Sequence, residues 1–152
     1  MERSPNGRLT RIGREEYAAF STELKHVFLV GDLRQPCPHP FVRDARVEVI
    51  LCEYLPGDDG RRHWHGTITE YEFVVAGAIG VLDIRSGETR WFREGDFIVV
   101  PAGECVQRLV RERTTTLAVK VPSAAEKIHC DFCARLCAYR VEPFRGTDGG
   151  SE

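Results

Sequence analysis

His63, His65 and Glu70 are the residues of this 152-residue chain whose types and spacing point most directly to chemistry. They stand in GDDGRRHWHGTITEYEFVVAG, between Gly57 and Gly77, with the spacing G-x5-H-x-H-x4-E-x6-G. Side chains alternate along a strand with period two, so the two imidazoles fall on one face and can reach one ion. The carboxylate returns to that ion if the chain turns between them, and Gly66 with Thr67–Thr69 suits a turn. Two histidines and a carboxylate suit a divalent metal such as Fe, Mn, Ni or Zn. Glu72 shares Glu70's face on a regular strand and is a candidate general base or supporting acid. Tyr54 is a candidate proton carrier by proximity. Trp64, Tyr71 and Phe73 fall on the opposite face, Trp64 as packing and the other two as core.

The elements that must position these residues are short strands. Ala45–Leu55 is a long strand of β-branched and aromatic residues, closed by the turn Pro56–Gly60. Short apolar runs follow at His63–His65, Tyr71–Val75, Ile79–Ile84, Thr89–Phe92, Asp96–Val100, Val106–Val110 and Thr116–Val121, with Gly, Pro or Asp between most of them. This rhythm predicts an antiparallel sandwich or barrel and does not choose between them. Before it, Glu15–Thr22 predicts a short helix, His26–Val30 a strand, and the three prolines of Arg34–Phe41 a loop or sheet edge.

The histidine–glutamate stretch resembles the first motif of the cupin superfamily, position for position. Gly95, Pro101 and Gly103 in GDFIVVPAG are similar to the start of its second motif, G-x5-P-x-G. The resemblance covers about Ala45 to Val121. It implies an all-β double-stranded β-helix, a jelly-roll barrel at 45–122, with an N-terminal extension at 1–44 and a tail at 123–152. It also exposes a departure: the histidine that the family places three residues after the last glycine is Val106 here. Three ligands, His63, His65 and Glu70, would then leave three positions open, as in non-haem Fe(II) oxygenases. Gln107 is the best substitute ligand. Cys105 would need an ion-lowered thiol pKa, and strand alternation turns both away from the site. Loss of the metal, leaving a binding pocket, is the third possibility.

Ser123–Ala138 predicts a C-terminal helix, with Ser123 as N-cap and Glu126 completing a capping box. Along it, His129, Cys130, Cys133 and Cys137 give H-C-x2-C-x3-C. The cysteines fall on one helical stripe, which packing among Ile128, Phe132 and Leu136 accounts for. The alternative is a second metal site, a zinc or an iron–sulfur centre, with Cys37 and His39 completing it. Cys52 belongs to the core. The polar N-terminus has no signal-peptide pattern, so the six cysteines are expected mostly as thiols or ligands in a cytoplasmic protein.

A formal net charge of −2 with short, mixed basic runs offers nothing to nucleic acid or an acidic membrane. The expected partner is a small molecule, and the resemblance adds a homodimer. The reaction expected first is that of a dioxygenase-type metalloenzyme. The alternatives are a non-catalytic ligand, metal or redox sensor, and an isomerase, epimerase or lyase.

Overall fold

A computed structural model describes residues 2–3, 9–21 and 25–130 of the chain. In chain order these form β1 (Glu2–Arg3), α1 (Arg14–Ser21), β2 (His26–Val30), β3 (Phe41–Val42), β4 (Glu48–Tyr54), β5 (His63–Trp64), β6 (Thr69–Ala76), β7 (Ala78–Asp83), β8 (Thr89–Arg93), β9 (Phe97–Val100), β10 (Val106–Val110), β11 (Thr114–Val121) and β12 (Ile128–His129). Two sheets result, a seven-stranded one in the order β1-β3-β2-β4-β11-β6-β9 and a five-stranded one in the order β12-β5-β10-β7-β8. This is the expected all-β double-stranded β-helix. β2 and β3, from the first forty-four residues, hydrogen-bond into the same sheet as β4.

Alternation decides what fills the barrel. On β4, β6 and β11 every second residue is buried, and the ladder aligns the inward residues in rows across the sheet. One end is closed by Val74, Ile79, Val81, Ile98, Val100, Val106 and Val110. Burying such side chains contributes about 1.5–3 kcal/mol each, which makes this the stable end of the barrel. The other end carries polar rows: Lys120 is the ladder partner of both Glu48 and Glu70, and Ala118 lies between Ile50 and Glu72.

Glycines set the turns between the strands. Gly77, between β6 and β7, has φ +81°, and a Cβ there would lie 2.3 Å from the Arg113 carbonyl oxygen. Both facts demand glycine. Gly103 donates its N–H to the His65 carbonyl at 2.7 Å, so the second glycine-rich turn is tied directly to the strand that carries the histidines.

Three expectations change. Tyr71 and Phe73 lie on the outer face of the seven-stranded sheet, where Tyr71 stacks on Phe97 and Phe73 is 41% exposed. The inward positions of β6 belong to its glutamates, so the aromatics are not core. Ser123 caps no helix: its Oγ accepts the Asp32 N–H at 2.8 Å, and Ile128–His129 is a strand paired with β5. The rest of the expected C-terminal helix, with Cys133 and Cys137, lies outside the described residues. Cys130 is bonded to Cys105 in a disulfide, so neither sulfur is a thiolate ligand or a packed thiol.

Candidate metal centre

The two histidines and the glutamate come from opposite sheets. β5 belongs to the five-stranded sheet and β6 to the seven-stranded one. The turn around Gly66 and the buried Ile68 carries the chain across the barrel between them. His63 opens β5 and His65 directly follows its last residue, on the same side as period-two alternation requires, with ring centroids 5.3 Å apart. The donor atoms of His63, His65 and Glu70 all lie within 4.8 Å of one another, and all three residues are buried. Among the described residues this is the metal-sized cluster of donors.

Hydrogen bonds fix how the rings are presented. His63 Nδ1 donates to the Arg61 carbonyl at 2.8 Å. His65 Nδ1 donates to the Glu126 carbonyl. A carbonyl can only accept, so each ring keeps its proton on Nδ1 and a lone pair on Nε2. This is the arrangement that orients metal-binding imidazoles. His65 Nε2 is buried with no hydrogen-bond partner among the described residues and lies 3.6 Å from Glu70 Oε2. Burial, and after it the charge of Lys127, pushes His63 down to about 4, so its ring is neutral at pH 7 as a ligand must be.

The charge balance also fits a dication. Burial alone would raise Glu70, but the Arg108 guanidinium overrides it and holds the carboxyl well below the usual carboxylate range. Arg108 Nη2 lies 3.2 Å from Glu70 Oε1 and 2.8 Å from Glu72 Oε2, and Arg108 Nε donates to Glu72 at 2.9 Å. Glu72 neutralises Arg108, so the trio retains one negative charge for an ion. Glu70 keeps Oε2 toward His65 while Oε1 serves Arg108. The donor set therefore fits a borderline divalent metal.

The remaining sequence-predicted residues fall as follows. Val106 pairs with His63 in the ladder and sits in the aliphatic cluster, so the position of the fourth ligand is hydrocarbon. Gln107 points to the other side, where its Oε1 accepts from Arg62 Nε at 3.3 Å, and it does not join the histidines. Glu72 is 1% exposed and both its oxygens are engaged, the second by Thr116 Oγ1 at 2.8 Å. Tyr54 lines a cavity of about 170 Å³ beside the triad, and burial raises its phenol above the ordinary tyrosine range. His129 lines the same cavity, with its ring centroid 6.4 Å from that of His63. Cys37 and His39 contact each other in the proline-rich loop, Sγ to Nε2 at 3.3 Å.

Sequence reasoning passed over four cavity residues: His26, Arg108, Lys120 and Lys127. Arg108 was legible, two positions from Val106 and so on the same face of the strand. Lys120 was not, because its neighbour Glu70 is set by the ladder register. His26 is pushed down to about 4, by burial first and then by the charges of Lys127 and Lys120, and its ring meets Tyr54 edge-on at 5.9 Å. A second cavity of about 690 Å³ adjoins, under the proline-rich loop, and shares His26, Ile50, Lys120 and Lys127.

Known structures repeat this architecture. An uncharacterised conserved protein with a double-stranded β-helix domain from Klebsiella pneumoniae superposes with a TM-score of 0.52 at 17% identity, over 57% of this chain and 76% of that one. KdgF from Halomonas sp. gives 0.50 at 22% identity, over 54% of this chain and 74% of that one. The oxalate decarboxylase of Lactobacillus farciminis, solved as its formate complex, gives 0.50 at 23% identity, over 57% of this chain and 27% of that one. No protein-family model matches the chain, and no curated protein matches it. At these identities the likeness establishes the fold alone, a double-stranded β-helix. No helix among the described residues is long and apolar enough to cross a membrane.

Proposed function

We propose that the chain binds one divalent metal through His63, His65 and Glu70 and acts on a small organic molecule in the adjoining cavity, as a dioxygenase-type metalloenzyme. The observation that carries this is the pair of Nδ1–H bonds to backbone carbonyls, which leaves a lone pair on each Nε2, in two rings clustered with one buried carboxylate. When bound, a redox-active ion in a three-ligand site supplies open positions for substrate oxygens and for dioxygen. The chain's own residues do the rest. Val106 leaves no fourth donor, so those positions stay open. Arg108 and Glu72 hold Glu70 in place. The proline-rich loop borders the outer cavity.

His26 supports a second reading, an isomerase or lyase. Its ring lines both cavities and is neutral at pH 7, so it can accept a proton there, whereas Glu72 has no free oxygen.

Metal analysis of protein purified without chelator tests the centre. Near-stoichiometric Fe, Mn, Ni or Zn is expected, lost in His65→Ala and Glu70→Ala. No metal under any loading condition refutes it. Oxygen uptake by Fe(II)-loaded protein with catechols, thiols and keto acids tests the oxygenase. Uptake unchanged in His65→Ala refutes it. Proton exchange into a bound carbonyl acid, lost in His26→Gln, would favour the second reading.

A further inference from the structure

We propose that the cavity beside the triad takes a small organic anion, with a carboxylate held by Arg108 and Lys120, the two cations that flank Glu70. This names the ligand class of the site proposed above and rests on that reading for where the ligand's reacting end lies.

Charge is the first argument. Arg61, Arg108, Lys120 and Lys127 line the inner cavity, and Glu70 is the one carboxylate lining it among the described residues. Set against Glu72, Glu48 and Glu70, the cations Arg108, Lys120 and Lys127 balance, so a bound dication leaves the site positive by two. A cavity with low-dielectric walls amplifies such an excess and concentrates anions.

Two side chains turn that excess into a seat. Arg108 is buried, and its Nε and Nη2 are taken by the glutamates. Its Nη1 is buried with no hydrogen-bond partner among the described residues, although the residue lines the cavity. An unmet donor on a charged group is costly. A carboxylate oxygen satisfies it with a charge-assisted bond about twice as strong as a neutral one. Because Glu72 and Glu70 lock the guanidinium plane, the donor is preorganised rather than recruited. Lys120 stands on the other side of Glu70, as its direct ladder partner. Its one ion pair among the described residues is long, Nζ to Glu48 Oε1 at 3.5 Å, and its side chain is 15% exposed. Lys120 lines both cavities and so stands where they meet.

Size narrows the class. The inner cavity, at about 170 Å³, is close to the ~150 Å³ that holds a benzene ring. The end of the ligand that reaches the triad is therefore a short acid, and any larger part extends into the outer cavity.

Calorimetric titration with malonate, and with its neutral isostere malonamide, tests this on the protein as purified and after chelator treatment. Malonate is expected to bind at least tenfold more tightly than malonamide. Lys120→Gln is expected to weaken malonate at least tenfold, leaving malonamide and metal content unchanged. Arg108→Gln alone strands two buried carboxylates and threatens folding, so the second variant is the double Glu72→Gln with Arg108→Gln, expected to lose malonate to the same degree. Absence of malonate binding, equal affinity for malonamide, or both variants within twofold of the parent overturns the proposal. A preference for malonate in a protein that never holds metal overturns the metal centre and leaves the anion seat standing. Bound metal without that preference does the reverse.

Discussion

Glu72→Gln isolates what the buried charge cluster contributes to stability. Glu72 is 1% exposed; it accepts from Thr116 at 2.8 Å and from Arg108 at 2.9 Å. The amide keeps the shape, and its carbonyl keeps Thr116 as a donor. It withdraws the charge that pairs with Arg108, whose side chain is 6% exposed. Removing one partner of a buried pair costs about 3–5 kcal/mol. Glu70 still holds Arg108 through Nη2, which places the loss near the lower end, about 3 kcal/mol. At about 2–4 °C per kcal/mol for a chain of this size, Tm should fall by about 6–12 °C. The control is Glu53→Gln, which breaks the Arg113–Glu53 pair at 3.6 Å, with side chains 76% and 34% exposed. Such a pair contributes at most about 1 kcal/mol, so its Tm should move by no more than about 4 °C. Differential scanning calorimetry of the metal-free proteins reads both. A Glu72→Gln shift within about 2 °C, or equal shifts in the two variants, would refute the assignment of that energy to burial.

Other outcomes follow from the same structure. His26 and His63 are both pushed down to about 4 in the fold against about 6.5 unfolded, so the unfolded chain takes up protons first. Stability of the metal-free protein is therefore full above about pH 6.5 and falls toward pH 4, and His26→Gln flattens the fall; urea midpoints across that range check it. Gly77→Ala forces a Cβ to 2.3 Å from a carbonyl oxygen at positive φ and should cost about 2 kcal/mol or more, whereas Gly57→Ala, at φ +88° with open space around it, should cost about 1 kcal/mol. Equal urea midpoints for the two variants would contradict this. Peptide mapping without reductant should join the peptides of Cys105 and Cys130, and labelling of both sulfurs in unreduced protein would refute the pairing.

Much of the barrel is legible along the chain because alternation and turn chemistry are local. The runs from Tyr71 to Val121 announce their strands, and Gly77 and Gly95 announce their turns at positive φ. The paired imidazoles are equally local, since period two alone puts His63 and His65 on one face. Over its described part, 123–130, the C-terminal helix reading failed for a nonlocal reason: Ser123 is held by Asp32, and Ile128 by Trp64, across the fold. A capping-box pattern cannot know that strand pairing and a distant N–H compete for the same residues.

By itself the sequence determined an antiparallel sandwich or barrel with two histidines and a glutamate at metal-ligand spacing, because short-range periodicity and turn stereochemistry are written in neighbouring residues; the jelly roll is what the cupin resemblance implies. Only the tertiary structure decided what surrounds that glutamate. Register between β6 and β11 sets Lys120 beside Glu70, and the meeting of two sheets brings Arg108 of β10 onto Glu70 and Glu72 of β6. These partners lie 36 to 50 residues apart, and the sheet pairing, not the local pattern, determines which charges share the barrel interior.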